Sequence, residues 1–400
     1  MIIDDKKKLT IDRNLRYVRS LYFWLGPINT SQEEKWAVYF GSAFKKIIDE
    51  IDYDKFIEKS NQCLDYIRKN CPDCKLIYRS HPDESDEVDL LNLTLFDVQK
   101  DKQIAEDFLW ENRPNIKYLF SVASLSSLTG FDLGLNAYSF FRYFRNDVFK
   151  DARRTFIDHL FDKLPPQFFI ESLNNPLLEN KVTLEEDSQL KNDFKKILAE
   201  NKGPIWFVIS ENRFMLYVLS LAKMISAIDP QREVNLIISK HHRWAEEKIE
   251  NLRSEFNQVI ILPRVFYSLK PSRLLSAFRT ARKIKKIPLD KESVIIGFAH
   301  HDFIENCLVS YNKDKFRISF LLEQTWKLNF KTEELDFGRR KFKFNKAGVF
   351  YNRFFEPLLG LNRTKFVDYG SGSKLYYIRF QKPLEDIYDR VYLIKNSPVN

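Results

Sequence analysis

The feature that most constrains the fold is a regular alternation of short apolar runs and longer amphipathic stretches in the second half of the chain. Apolar runs that predict strands occupy residues 205–210, 234–239, 259–263, 293–298 and 316–322, and the stretches 212–228, 244–255 and 268–286 between them have helical character. This alternation is typical of βαβ units, in which each helix returns the chain so that the next strand runs parallel to the last. The second half is therefore predicted to form a doubly wound parallel sheet.

The first half shows a similar alternation. Its apolar runs lie at 36–40, 75–78 and 116–122, and its helical stretches lie at 54–69 and 100–112. A chain of 400 residues is too long for one ordinary hydrophobic core and suits two domains. We predict an α/β domain over 1–160, a helical connector over 161–202, a second Rossmann-like α/β domain over 203–335 and a basic extension packing on the domains over 336–400.

The charge balance indicates an anionic partner, because the formal net charge is +9. A nucleotide sugar, an acidic glycan or anionic lipid would suit this charge, and a general bias towards lysine would also explain it. The sequence has no nucleic-acid-binding motif, so nucleic acid is not expected as a partner. With 11 glycines and neither GxGxxG nor GxxxxGK, a glycine-rich phosphate loop is not expected either.

The chain is expected to be cytoplasmic, with a peripheral contact with the inner membrane as a further possibility. Its first residues lack the apolar core of a signal peptide, and no stretch approaches the roughly 20 apolar residues of a membrane span. The four cysteines are expected to be reduced. Cys71 and Cys74 have CxxC spacing, but no second pair completes a metal site, so we interpret them as part of a loop between a helix and a strand.

Polar clusters follow two of the predicted strands of the first half. Arg79 and His81 come just after the run 75–78, and Ser124, Ser126, Ser127 and Thr129 come just after the run 116–122. Because parallel strands end at one edge of a sheet, where ligands of open α/β sheets bind, we expect the clusters to lie close together. The hydroxyls and backbone N–H groups, with a helix beginning at Thr129, suit a phosphate group. Plain helix capping explains the same hydroxyls.

The order of these motifs resembles a known group of enzymes. His81-Pro82 after one strand and Ser126-Ser127 after a later strand resemble the HP and SS motifs of bacterial sialyltransferases and polysialyltransferases. The string from Ser127 to Asp132 also resembles a motif of capsule-type Kdo transferases. Both families transfer an acidic nonulosonic sugar from a CMP donor.

The resemblance implies a GT-B-like plan, in which two Rossmann-like domains face a cleft. It implies that His81 contacts the donor phosphate and helps CMP leave, and that Ser126 and Ser127 hydrogen-bond that phosphate. Gly41 and Ser42, after the strand at 36–40, are implied as further nucleotide contacts. The CMP-sugar is a co-substrate, and no metal or other cofactor is expected. The order of the two halves is inverted relative to those families, since the half with the motifs comes first here.

Three further features of the second half are candidates for chemistry. The pairs His300-His301 and His241-His242 each follow a predicted strand, and the first pair is the stronger candidate for a general base. Asp302, beside that pair, would equally serve as a helix N-cap. Glu323 ends the fifth strand, where the resembled sialyltransferases carry an acidic base. A basic stretch from Lys270 to Lys286 suits an anionic acceptor or lipid, or is a solvated helix face.

These observations predict a glycosyltransferase that moves a sialic-acid-like or Kdo-like sugar from CMP onto a bacterial surface glycan, in capsule or lipopolysaccharide. Two alternatives stay open. One is a non-catalytic protein of the same architecture that binds nucleotide, glycan or a partner enzyme. The other is an enzyme that uses a different donor class, such as a UDP-sugar.

Overall fold

The computed structural model describes residues 15–18, 21–26, 34–81, 84, 89–100, 103–161, 164–180, 183–210, 214–240, 246–266, 268–298, 302–322, 347, 350–361, 366–369, 375–378 and 387–394. Its strands are β1 (Leu15–Val18), β2 (Trp36–Phe40), β3 (Lys75–Arg79), β4 (Phe96–Gln99), β5 (Ile116–Ser121), β6 (Asn136–Ser139), β7 (Ile205–Ile209), β8 (Val234–Lys240), β9 (Gln258–Pro263), β10 (Val294–Gly297), β11 (Phe316–Leu322), β12 (Phe366–Tyr369), β13 (Leu375–Ile378) and β14 (Arg390–Ile394).

The α-helices are α1 (Tyr53–Asn70), α2 (Ala105–Asn112), α3 (Leu125–Asp132), α4 (Phe141–Phe144), α5 (Asp151–Phe161), α6 (Ser188–Glu200), α7 (Met215–Ile228), α8 (Glu246–Glu255), α9 (Pro271–Ile284), α10 (Phe303–Tyr311) and α11 (Glu356–Leu358). Short 3-10 helices cover Leu21–Leu25, Phe44–Glu50 and Pro166–Phe168, and a π-helical turn, Tyr351–Phe355, precedes α11. Within the described ranges, no helix is long and apolar enough to cross a bilayer.

The first sheet has five parallel strands in the order β4-β3-β2-β5-β6. The chain forms β2, adds β3 and β4 on one side, and then crosses back to add β5 and β6 on the other. This is the strand order 3-2-1-4-5 of a Rossmann-like unit. The order reverses between β2 and β5, and open α/β sheets form their ligand-binding crevice at the carboxyl ends of the strands at such a reversal.

The second sheet has seven parallel strands in the order β1-β14-β11-β10-β7-β8-β9. From β7 to β14 it follows the Rossmann order 3-2-1-4-5-6, with its reversal between β7 and β10. All five residues of β7 are buried, as expected where helices cover both faces of a parallel sheet. The prediction of an α/β chain with two Rossmann-like parallel sheets is therefore confirmed.

The ends of the chain differ from the predicted domain boundaries. Strand β1 pairs with β14 in the second sheet, although residues 1–160 were assigned to the first domain. Strand β14 lies between β11 and β1, so the predicted C-terminal extension supplies an interior strand. Both strands are too short for their own sequence to reveal which sheet they join. The C-terminal region also contains an antiparallel pair formed by β12 and β13.

The 3-10 helix Leu21–Leu25 connects elements of both sheets. Tyr22 stacks on Tyr217 of α7 with ring centroids 4.9 Å apart, and the hydroxyl of Ser220 donates to the carbonyl of Leu21. Burial raises the pKa of the Tyr22 phenol well above its usual value, and Tyr217 and Asp132 of α3 raise it further. The turn that follows β1 thus packs on α7 and lies near the first sheet's helix α3.

Candidate functional site

The carboxyl edge of the first sheet brings several of the predicted site residues together. Gly41 and Ser42 directly follow β2, His81 lies two residues beyond β3, and Ser124 lies three residues beyond β5. Phe40 at the end of β2 pairs with Arg79 on one side and with Ser121 on the other, so the three strands end level with one another. Neighbouring strands are about 4.8 Å apart, which keeps these residues within the reach of one small ligand.

Gly41 lies at a close approach between two loops. Its backbone N–H donates to the carbonyl of Arg79 at 2.9 Å. A Cβ atom at Gly41 would lie 2.6 Å from both the Glu84 carboxyl and the Tyr78 hydroxyl, closer than real Cβ contacts allow. The loop after β2 therefore lies directly against the turn that contains His81.

The turn of His81 is held by the side chain of Glu84. The Glu84 carboxyl accepts the backbone N–H of His81 at 2.9 Å and the Tyr78 hydroxyl at 2.6 Å, and the Glu84 N–H donates to the His81 carbonyl at 2.8 Å. These bonds fix the backbone of His81, whose side chain is half-buried. An acid three residues after His81 was the available signal, because at that spacing a side chain reaches back across a turn.

The serine cluster forms the first turn of α3, and the predicted helix start at Thr129 is wrong. The helix begins at Leu125 with Ser124 as its N-cap, and Thr129 lies in its interior. The Ser124 hydroxyl accepts the N–H of Ser126 at 3.1 Å and donates to the Ser126 hydroxyl at 3.0 Å. The first four N–H groups of a helix have no partner within the helix. A serine immediately before them is favoured because its hydroxyl accepts a hydrogen bond from one of these N–H groups.

Ser127 occupies a different environment from Ser126. It is fully buried, and its hydroxyl donates to that of Ser121 at 2.6 Å. The Ser121 hydroxyl also accepts the N–H of Ser124 at 3.2 Å, so Ser121 and Ser127 anchor α3 to the end of β5. Gly130 allows the helix to approach that strand, because a Cβ there would collide with Leu119. Ser126 is only partly buried, at the crevice end of the helix.

The Arg79 side chain lies within the packing of the sheet and α2. It is 3% exposed, its Nη2 donates to the carbonyl of Gln103 at 2.6 Å, and its guanidinium lies 4.1 Å from the ring centroid of Phe108. These contacts account for an arginine at this position by structure alone.

The candidate bases His300, His301 and Glu323, together with His241 and His242, lie outside the described residues. The described residues that flank the first pair are well fixed. Strand β10 ends at Gly297, and Asp302 caps α10 by accepting the N–H groups of Ile304 at 2.8 Å and Glu305 at 3.3 Å. The N-cap expected at Asp302 is confirmed. The segment with His300 and His301 thus begins at the carboxyl end of β10, beside the order reversal of the second sheet.

A buried carboxyl group that the sequence analysis missed fixes Phe298, the last described residue before His300 and His301. Glu305 is 1% exposed and accepts the N–H of Phe298 at 3.0 Å and the Tyr388 hydroxyl at 2.7 Å. Its carboxyl lies against Gly297, where a Cβ would collide with it. Burial and the Glu305 carboxyl raise the pKa of Tyr388 well above its usual value, so Tyr388 stays a hydrogen-bond donor. The acid three residues after Asp302 was a visible signal, since this spacing is typical of capping boxes.

Cys71 and Cys74 lie in the loop between α1 and β3, as predicted. Burial raises the pKa of the Cys71 thiol to about 12 and also raises that of Cys74. Both are therefore thiols at neutral pH. In the part of the chain that the structure describes, no three His, Cys, Asp or Glu side chains are grouped as metal ligands would be.

Replacing the N-cap should show how strongly α3 depends on it. Ser124→Ala is expected to lower the free energy of unfolding by about 1 kcal/mol, because the Ser126 N–H loses its acceptor. Ser124→Asp keeps a side-chain acceptor, so its free energy of unfolding should stay close to that of the parent. Urea unfolding followed by circular dichroism measures both. Equal stability of the alanine and aspartate variants would contradict the capping role.

No model of a known protein family matches the chain, and no curated protein sequence matches it. What points to a function is thus the chain's own geometry: two Rossmann-like sheets, and the residues at the carboxyl ends of β2, β3 and β5.

Proposed function

We propose that the chain is a GT-B-like glycosyltransferase that moves a sialic-acid-like or Kdo-like sugar from a CMP donor onto a bacterial surface glycan. The observation that carries the proposal is the position of Gly41, His81 and Ser126 at one edge of the first sheet, around its order reversal. Ligands of open α/β sheets bind in such crevices. The second Rossmann-like sheet would supply the acceptor side.

The groups at the edge suit a nucleotide monophosphate. The first turn of α3 offers the positive end of the helix dipole, and the Ser126 hydroxyl offers a hydrogen-bond donor. His81, on a turn fixed by Glu84, would donate to the phosphate as negative charge develops on the departing CMP. Ser124 and Ser127 would act by holding the helix start, since their hydroxyls are engaged with neighbouring serines.

The acceptor hydroxyl needs a base, which would come from the second half of the chain. Glu323 directly follows β11 in the sequence, and His300 and His301 come three and four residues after the end of β10. These strands are neighbours in the second sheet and end at the same edge. Loss of the acceptor proton to one of these groups, as the acceptor oxygen bonds to the sugar and the bond to CMP breaks, would complete the transfer.

One observation favours a second candidate, a non-catalytic protein that binds nucleotide or glycan. Ser127, which the family resemblance assigns to the donor phosphate, is buried and bonded to Ser121. Arg79 is likewise engaged in packing. A protein that retained the fold and lost part of the donor site would show this arrangement.

Calorimetric titration with CMP tests the donor site, with UMP and UDP as competing ligands. The parent is expected to bind CMP selectively, and His81→Ala and Ser126→Ala should each weaken binding at least about tenfold, the loss expected for a charge-assisted hydrogen bond. Ser188→Ala, at the exposed start of α6, is the matched control and should bind as the parent does.

The possible outcomes separate the candidates. Absence of CMP binding would reject the proposed donor, and preference for UDP would indicate another donor class. Selective CMP binding, with no release of CMP from CMP-sialic acid or CMP-Kdo in the presence of acceptor glycans, would favour the non-catalytic candidate. Release that is lost in His81→Ala would establish the transferase.

A further inference from the structure

The segment around α9 is strongly basic. Residues 264–287 contain eight basic side chains and no Asp or Glu. All eight are exposed: Arg264, Lys270, Arg273, Arg279, Arg282, Lys283, Lys285 and Lys286. The segment is more one-sided than the chain as a whole, in which 64 Lys and Arg stand against 55 Asp and Glu.

Large apolar side chains are exposed among these cations. Phe266 is 45% exposed, Leu269 49%, Leu275 48% and Phe278 43%. Leu275 and Phe278 are three residues apart and therefore neighbours on the outer side of α9. The inner side of the helix is occupied by small and aliphatic residues that are buried against the second sheet's core: Ala277, Ala281 and Ile284. We call the eight cations and these four exposed apolar residues the basic-apolar surface.

The cations of this surface are not neutralised by the described part of the protein. None of the eight forms an ion pair with another described residue. The guanidinium groups of Arg264 and Arg273 instead lie 4.9 Å and 5.0 Å from the ring centroid of Phe266. An ordinary solvated helix face would pair charges of both signs and would not expose phenylalanine and leucine together.

A neighbouring segment adds more exposed apolar area. The Tyr351 hydroxyl donates to the carbonyl of Phe266 at 3.4 Å, which brings the turn Tyr351–Phe355 and helix α11 next to the basic-apolar surface. Phe354 is 63% exposed and Leu358 is 81% exposed. Scattered apolar residues need no explanation, but a group of them beside eight cations does.

We propose that the basic-apolar surface docks the chain onto a membrane that contains anionic phospholipid. Arg and Lys would contact the lipid phosphates, while Phe266, Leu275 and Phe278 enter the boundary between headgroups and acyl chains. A soluble polyanion, such as RNA or an acidic glycan, would satisfy the cations but leave the apolar side chains in water. The inference is independent of the proposed transferase activity, because docking needs no nucleotide.

Vesicle co-sedimentation of the full chain tests the proposal. Vesicles of phosphatidylcholine alone are compared with vesicles that also contain phosphatidylglycerol. The parent should bind only the anionic vesicles, and added salt should weaken the binding. Arg279→Gln/Arg282→Gln should weaken it by about 25-fold, at about fivefold per charge removed. Leu275→Ser/Phe278→Ser should weaken it at least about tenfold, through lost apolar burial.

Matched controls separate the surface from general charge and hydrophobicity. Lys195→Gln/Lys196→Gln removes two exposed cations of α6, and Leu178→Ser removes a leucine that is 69% exposed elsewhere. Both should bind vesicles as the parent does. The proposal would be overturned if the parent bound neutral vesicles as well as anionic ones, or if the control variants lost as much affinity for vesicles as the surface variants. If the parent binds anionic vesicles only weakly and the Leu275→Ser/Phe278→Ser variant still binds single-stranded RNA, the ligand of the basic-apolar surface would be a soluble polyanion instead of a membrane.

Discussion

Glu305→Ala is expected to lower the free energy of unfolding by about 3 kcal/mol, the scale for removing a buried hydrogen-bonded group. The change leaves the N–H of Phe298 and the Tyr388 hydroxyl without this acceptor in a site that is 1% exposed, and it opens a cavity against Gly297. Urea unfolding followed by circular dichroism measures the loss.

Glu305→Gln is the matched comparison for this site. Its side-chain oxygen can still accept from Phe298, so it should lose less than half as much as the alanine variant. Equal losses in both variants would mean that the charge, rather than the hydrogen bonds, matters. A loss below about 1 kcal/mol in Glu305→Ala would show that the site relaxes or admits water, contrary to the packing described.

Arg232→Lys is expected to cost about 2 kcal/mol or more, although it conserves the charge. The Arg232 side chain is 5% exposed and donates to the carbonyls of Leu198, Asn201 and Gly203 at 2.7–2.8 Å while it pairs with Asp229 at 2.9 Å. Its planar fork thus ties the end of α6 to the loop that leads into β7. The single ammonium of lysine cannot hydrogen-bond to the three carbonyls and to the Asp229 carboxylate at the same time.

Arg253→Lys is the matched control for that substitution. Arg253 is also paired with an acid three residues earlier, Glu250 at 3.2 Å, but its side chain is 55% exposed. An exposed pair of this kind contributes little, so the control should change the stability by less than about 0.5 kcal/mol. Thermal unfolding of both variants measures their losses of stability. Similar losses in the two variants would contradict the role assigned to Arg232.

Both residues bear on the candidate site through the second sheet. Glu305 fixes Phe298 and α10, which flank His300 and His301 in the sequence, and Arg232 fixes the entry to β7, an interior strand of the sheet. Variants of either residue are therefore expected to affect stability first. They serve as a baseline against which the donor-site variants His81→Ala and Ser126→Ala can be judged.

The elements with strong local patterns were predictable. The bounds of β2 and β11 agree with the predicted runs, and α1 differs from its prediction by one residue at each end. Several residues of each of these segments indicate the same secondary structure, since apolar runs fill strands buried on both faces and an apolar stripe marks the inner side of a helix. The parallel character of both sheets follows from the same alternation.

Elements whose polar residues are satisfied by distant partners were not predictable. Strand β6 is buried although it contains Asn136 and Ser139. The side-chain amide oxygen of Asn136 accepts the backbone N–H of Asn180 at 2.8 Å, and the Ser139 hydroxyl donates to the backbone carbonyl of Val122 at 2.7 Å. Sequence alone marks such residues as turn formers, because it does not show the partners that make their burial favourable.

The sequence by itself determined the fold class, the parallel sheets and the edge at which Gly41, His81 and the serines lie, since periodicity and chain order are local properties. Only the tertiary structure decided that β1 and β14 join the second sheet, that α3 begins at Leu125, that Glu84 holds the turn of His81 and that Glu305 holds Phe298. Each of these depends on partners many residues away or on the burial of one polar atom, and a linear pattern records neither.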